Sequence, residues 1–260
     1  MSSSSPMDPS KISSIVADGN EMRRIDLEVS EVLSITRVQE VASTRLADLI
    51  TYHLGLNVGE TTPVVVVVGK GNNGANGIAA ARHLVGRFGR GNITVLLGVP
   101  NDQMNDMPRE QLKLYEHFGG RTVSWTGKED QEGLMASLIA KEGTIIVDGL
   151  LGTGIAKPPR SNIKDVIEWV NSTSLPVLAL DVPSGLNHVT GEVLEPCIRA
   201  KWTFNFHILK SGQVAPSARN VIGELWTADT DLTYTSWEEA GVKPEAIQEL
   251  YSAGPIRRVF

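Results

Sequence analysis

The chain has 260 residues, 24 Lys and Arg against 30 Asp and Glu, and a formal net charge of −6. With 41% hydrophobic and 21% charged residues it has the proportions of an ordinary folded protein, long enough to bury a sizeable core. No run approaches the ~18 apolar residues of a membrane helix, no Lys/Arg cluster offers a nucleic-acid backbone its counter-charge, and a single cysteine, Cys197, excludes an intrachain disulfide and a cysteine-based zinc site.

Residues 1–20 are rich in Ser, Pro and Asp without sustained periodicity, and read as a flexible leader to one domain spanning 21–260. The composition and the lack of an export signal point to the cytoplasm, with the mitochondrion also compatible. From Glu21 to Leu54 apolar residues recur at helical spacing, which predicts two helices broken near Ser34 to Thr36. Their apolar positions occupy more than one face, so the segment is expected to contribute to a homodimer. Val64 to Val68 is five β-branched residues in a row, the pattern of a central parallel strand buried on both faces.

Helices and strands then alternate, the signature of an α/β sheet. Helices are expected at 77–88, 106–118, 130–141 and 163–171, and strands at 93–97, 121–125, 144–147 and 177–180. Two further strands, 201–208 and 223–227, have no room for a long helix between them, so the sheet is expected to finish with an antiparallel or irregular edge. A last short helix is expected near 244–251.

Three loops leave strands at the carboxyl edge, where open parallel sheets bind ligands. The first, Gly69 to Gly77, contains G-x-G-x-x-G between a strand and a helix; it fits a phosphate on a helix N-terminus, or a tight turn alone. The acidic residue that a dinucleotide-binding dehydrogenase needs ~20 residues on is displaced, the nearest being Asp102. The second loop, Asp148-Gly-Leu-Leu-Gly152-Thr153-Gly154, opens with an acid at a strand end and is followed by Lys157 and Arg160. The third, Asp181-Val-Pro-Ser184-Gly, opens the same way. Asn73, Asp148 and Ser184 offer only oxygen donors, which suits a hard cation rather than zinc. The five histidines show no metal-ligand spacing, and Ser184 lies outside a G-x-S-x-G elbow.

GKGNNGANG, DGLLGTG, DVPSG and TFNFHILKSG, in this order across Met22 to Gln213, resemble the motifs of the YjeF N-terminal-domain family, whose characterised members are NAD(P)H-hydrate epimerases. The resemblance implies an α/β fold, a Rossmann-like three-layer sandwich with a mostly parallel central sheet and N-terminal helices. It implies an isomerase that interconverts the R and S forms of hydrated NADH and NADPH, serving a separate dehydratase. It places a potassium ion on Asn73, Asp148 and Ser184. The nucleotide-like substrate falls on Asn72, Asn73, Gly74, Ala75, Asn76, Gly152, Thr153, Gly154, Ile155, Ala156, Lys157, Pro158, Asp181 and Lys210. Acid–base work falls to Asp181 first and Asp148 second. Two departures stand out. The family's G-G-D reads Gly74-Ala75-Asn76, losing a carboxylate and narrowing the backbone's approach to a ligand, and its E-N-A-G reads Glu40-Val41-Ala42-Ser43, losing a polar side chain near the site. They keep open an isomerase or cyclase turned to another small molecule, or a non-catalytic nucleotide-binding or scaffold module.

Overall fold

The computed structural model describes residues 5–56, 58, 62–125, 127 and 132–260. In chain order the elements are α1 (Pro9–Ile12), β1 (Val16–Ala17), α2 (Gly19–Glu31), α3 (Ile35–Asp48), β2 (Val64–Val68), α4 (Asn72–Phe88), β3 (Ile93–Leu97), α5 (Asp106–His117), β4 (Arg121–Ser124), α6 (Glu132–Ile139) and β5 (Ile145–Gly149). They continue with α7 (Ser161–Ser172), β6 (Val177–Leu180), β7 (Trp202–Phe206), β8 (Leu209–Lys210), α8 (Ser211–Val214), α9 (Arg219–Ile222), β9 (Glu224–Ala228), α10 (Tyr234–Ala240), α11 (Pro244–Tyr251) and β10 (Ile256–Arg258).

Eight of these strands form one sheet in the order β10-β9-β7-β6-β5-β2-β3-β4, parallel throughout except for β10. The five valines of β2 are all buried because the strand is covered on both faces: Val64, Val66 and Val68 pack with α3 and α4, Val65 and Val67 with α7. Helices above and below a mostly parallel sheet make the expected three layers.

The sheet ends on an antiparallel edge as expected, but on a different strand. β9 runs parallel to β7, because 207–223 makes the crossover with two single-turn helices instead of one long one; the antiparallel edge is β10, which sequence reading left out. The helix expected at 163–171 starts at Ser161. The expected start of the 130–141 helix and Met1 to Ser4 of the leader lie outside the described residues.

Part of the rest of the expected leader is built into the fold, although most of its side chains stay exposed. Asp8 caps α1, Ile15 and Ala17 are buried, and β1 pairs in parallel with β8. Four apolar residues within 12–17 are too few to show a period, yet enough to cover an edge. Most of the apolar positions of α2 and α3 are covered within the chain. Met22, Ile25, Val29 and Val38 join a cluster with Ile208, Leu209 and Trp237, whereas Ala42, Leu46 and Leu49 join the cluster over β2. Leu27 and Val32 stay exposed, at 48% and 67%.

Candidate active site

A cleft of about 1070 Å³ opens over the carboxyl ends of β2, β5, β6 and β7. Its place follows from topology: after β2 the chain turns to β3 on one side and later takes β5 on the other, and the loops diverge at that switch point. Helices α2 and α3 close one wall with Met22, Asp26, Val29, Ile35, Val38, Gln39 and Ala42.

The turn after β2 is shorter than its glycines suggest. Helix α4 already begins at Asn72 with Gly71 as its N-cap, so Asn72, Asn73 and Asn76 lie on its first two turns and face the cleft. Gly74 and Ala75 do not line it. A Cβ on Gly69 would stand 2.0 Å from the Leu150 carbonyl oxygen, and one on Gly74 2.3 Å from that of Gly69. These two glycines let β2, β5 and α4 close up on one another, which is the close-packing role. Ala75 is fully buried, so its methyl group does not narrow the approach to a ligand as expected. Val41 is likewise off the site: the cleft face of α3 centres between Val38 and Ala42, and position 41 is turned roughly 100° away. Ser43 instead ties α3 to α4 by donating to the Asn76 carbonyl at 3.2 Å, and Arg82 clamps both oxygens of Glu40 at 2.8 and 2.7 Å.

Asp148 and Ser184 come together beneath the cleft floor, and Asn73, which lines the cleft, is tied to the same Leu151 as Ser184. Asp148 has no exposed surface. Its Oδ1 accepts from the Ser184 hydroxyl at 2.6 Å and the Leu150 N–H at 3.1 Å, and its Oδ2 from the Ser184 N–H at 2.8 Å. Ser184 Oγ accepts from the Leu151 N–H at 2.9 Å, while Asn73 donates to the carbonyls of Leu151 at 2.7 Å and Leu180 at 3.2 Å. Burial pushes the Asp148 carboxyl up to about 6, because its three neutral donors offset only part of the lost hydration. With no face on the cleft, Asp148 is placed to hold two loops rather than to meet a substrate.

Asp181 occupies the floor itself. It sits in the left-handed region at φ 63°, a conformation Asp tolerates better than most side chains, and its N–H is held by the Phe204 carbonyl at 2.7 Å. One carboxylate oxygen lies 2.6 Å from Lys210 Nζ. That lysine is 2% exposed, and it also donates to Asn205 Oδ1 at 2.7 Å and the Phe206 carbonyl at 3.3 Å. Gln213 Nε2 bridges the Asp181 carbonyl at 2.6 Å and Asn205 Oδ1 at 2.9 Å. A buried cation anchored by two hydrogen bonds cannot readily swing away, so Asp181 is paired with a charge fixed in place. Two more titratable groups face this end. Desolvation raises Asp26 while Lys210 opposes that shift, and burial pushes His207 down to about 3 with Lys210 adding to the effect.

Gly152 to Pro158 all line the cleft, together with Lys70 and Arg160. Strand order sets the two ends apart: three basic side chains and the start of α4 cluster at β2 and β5, and the acid–base groups stand at β6 and β7. Sequence reading missed Asp26, Gln39, Asn205, His207 and Gln213. Asn205 lies within a motif already singled out and Gln213 directly follows it, so two amides flanking Lys210 were the available signal; Asp26 and Gln39 carried none, lying on amphipathic helices.

This arrangement matches a known family. Residues 36–212 match the model of the YjeF-related protein N-terminus. The chain belongs to the YjeF N-terminal family. Its YjeF domain is 32% identical over 183 residues to a protein of Cenarchaeum symbiosum named NAD(P)H-hydrate epimerase, covering 70% of this chain and 76% of that one. It is also similar to the bifunctional NAD(P)H-hydrate repair enzymes of Leishmania infantum (37% identity, 62% of this chain, 27% of that protein) and Salinibacter ruber (33%, 75% and 36%). The chain thus spans only about a third of those two proteins. Among solved structures, yeast ynu0 (YNL200c) shares the YjeF fold with a TM-score of 0.72 at 20% identity, over 88% of this chain and 94% of that one. No helix among the described residues is long and apolar enough to cross a membrane.

Proposed function

We propose that the protein is an NAD(P)H-hydrate epimerase, interconverting the R and S forms of hydrated NADH and NADPH. The observation that carries this reading is the Asp181–Lys210 pair on the cleft floor, 2.6 Å apart and open to a substrate on one side. The hydrated ring bears a hydroxyl on the carbon next to the ring nitrogen. When an acid delivers a proton to that hydroxyl, the nitrogen lone pair expels it as water and the carbon becomes planar. Water then adds from the opposite face as a base removes its proton. Acid and base are used once each per inversion, so no net proton is consumed, and one carboxyl group serves for both. Asp181 is that group; Lys210 and Gln213 fix its direction. Lys70, Lys157, Arg160 and the start of α4 hold the dinucleotide's phosphates. A dehydratase partner acting on one epimer completes the restoration of the cofactor.

Asn73, Asp148 and Ser184 fit a potassium ion in donor chemistry: each carries a side-chain oxygen, all three are tied to the backbone of Leu150 or Leu151, and Asp148 is a carboxyl group enclosed without a cationic side chain. When bound, the ion would supply that missing positive charge and hold the loops after β5 and β6 in register. Asn76, facing the cleft where relatives' motifs carry an acid, is the observation that favours a retuned substrate as the second reading.

The test is to incubate the R epimer of hydrated NADPH with the protein and follow both epimers by chiral chromatography. Equilibration well above the spontaneous rate is expected; a rate equal to background rejects the epimerase. Melting in potassium against choline salts tests the ion separately, since a ligand bound to the folded state alone raises the midpoint. Equal midpoints reject it.

A further inference from the structure

Helix α3 presents three apolar residues to the cleft, Ile35, Val38 and Ala42, and one amide, Gln39. Gln39 is 4% exposed, and neither its Oε1 nor its Nε2 has a hydrogen-bond partner among the described residues. A buried amide with both ends open destabilises the fold, and its apolar neighbours cannot complete it. A group of this kind, aimed into a cleft, is completed by what the cleft binds.

Its neighbours say which part of the cleft it serves. Val38 packs in the cluster that holds Ile208 and Leu209, the two residues before Lys210, and Arg37 and Arg45 of the same helix reach Asp231 and the Asp229 carbonyl just beyond β9, the neighbour of β7. Gln39 therefore stands at the β7 and β8 end with Asp181 and Lys210, not at the end carrying Lys157 and Arg160. A ligand that satisfies both its ends must offer an acceptor and a donor side by side, as a primary carboxamide does.

We infer that Gln39 reads the carboxamide of the hydrated nicotinamide ring through two antiparallel hydrogen bonds, and so sets which way the ring lies over Asp181. This rests on the epimerase reading for the identity of the ring. The geometry is self-consistent: the carboxamide-bearing and hydroxyl-bearing carbons stand opposite each other on a six-membered ring, so anchoring one on the α3 wall directs the other toward the strand ends. Adenine also has an adjacent donor and acceptor, but adenine on Gln39 would leave the reacting ring at the basic end, away from Asp181.

The experiment is a set of binding titrations, which need no turnover, with NADH, its 3-acetylpyridine analogue (a methyl ketone in place of the carboxamide) and ADP-ribose. Wild type is expected to prefer NADH over the ketone by about 10- to 100-fold, because the ketone keeps the acceptor for Nε2 but leaves Oε1 buried without a donor. Gln39→Met, similar in length but without polar ends, is expected to lose that preference, keep its ADP-ribose affinity and melt no lower than wild type. Wild type binding NADH and the ketone equally overturns the inference, with no variant required. So does a Gln39→Met protein that still discriminates, or one whose affinity for ADP-ribose falls in step with NADH, which would assign Gln39 to the adenine. Wild type that discriminates but does not epimerise upholds the assignment of Gln39 and rejects the activity; an active enzyme indifferent to the ketone does the reverse.

Discussion

Asp148 and Asp181 look alike in sequence, each an acid at the end of an apolar strand followed by a small-residue turn, yet the fold gives them opposite surroundings. Asp148 stays within β5, fully enclosed, with both oxygens taken by neutral donors from its own loop and from Ser184. Asp181 lies one residue beyond β6, turned by its positive φ onto the cleft floor and paired to a buried lysine. A strand-end position thus delivers an acid to the right edge of the sheet, and the donors that meet it there decide whether it works as a brace or as a reagent. Two residues of register separate the two outcomes, since Asp148 pairs with Ala179 in the sheet.

The largest expected effect that separates them is on stability. Asp148→Ala removes the acceptor from three buried donors, Leu150 N–H, Ser184 N–H and Ser184 Oγ–H. A loss of about 3–5 kcal/mol in unfolding free energy is expected from denaturant titration. Asp181→Asn, which keeps an acceptor for Lys210, is expected to lose well under half of that. Equal losses in the two variants would erase the distinction.

The pH dependence of stability sharpens the comparison from both sides. His207, beside the Asp181 end, has its pKa pushed down to about 3 by burial, against about 6.5 in the unfolded chain. The folded state therefore binds fewer protons, and this contribution is complete above pH 6.5 and lost as the pH falls toward 3. Asp148 has the opposite sign: raised to about 6, it stabilises most when protonated and loses that contribution as the pH rises through 6. Because the ring of His207 is partly exposed, roughly 1–3 kcal/mol of its loss is expected between pH 7 and 4. Urea midpoints for wild type and His207→Gln across that range check it: the variant should fall less steeply on acidification, and parallel curves would contradict the assignment.

The smallest expected effect is at Asn76. Its side chain faces the cleft on the second turn of α4, whereas Asp181, the proposed reagent, stands at the β6 end. Asn76→Asp is accordingly expected to change the epimerisation rate by only a few-fold, read as kcat/KM on the R epimer. A gain of a hundredfold or more would mean that this position carries the chemistry and that the native substrate lies elsewhere.

Much of this was legible before any coordinates. Val64 to Val68 announced the central strand because a strand buried on both faces needs no polar alternation. The three loops reached one cleft because a parallel sheet brings its strand ends to one edge. What was not legible depended on packing across the chain. The leader's order rests on Val16 finding Leu209 almost two hundred residues away. The expected antiparallel edge falls to β10 and not to β9, because two single-turn helices suffice for a parallel crossover from β7. Asp26 and Gln39 joined the site because α2 and α3 lean over β7, and helical periodicity says which residues share a face but not what that face meets.

The central claim is that Asp181 is the reagent and Asp148 the brace, and the rate at which Asp181→Asn inverts the R epimer of hydrated NADPH tests it most directly. The variant is compared with wild type under conditions where both are folded. A fall of about 10²- to 10⁴-fold is predicted, the usual worth of a positioned acid–base group. An Asp181→Asn protein that inverts the substrate within a few-fold of wild type would contradict it.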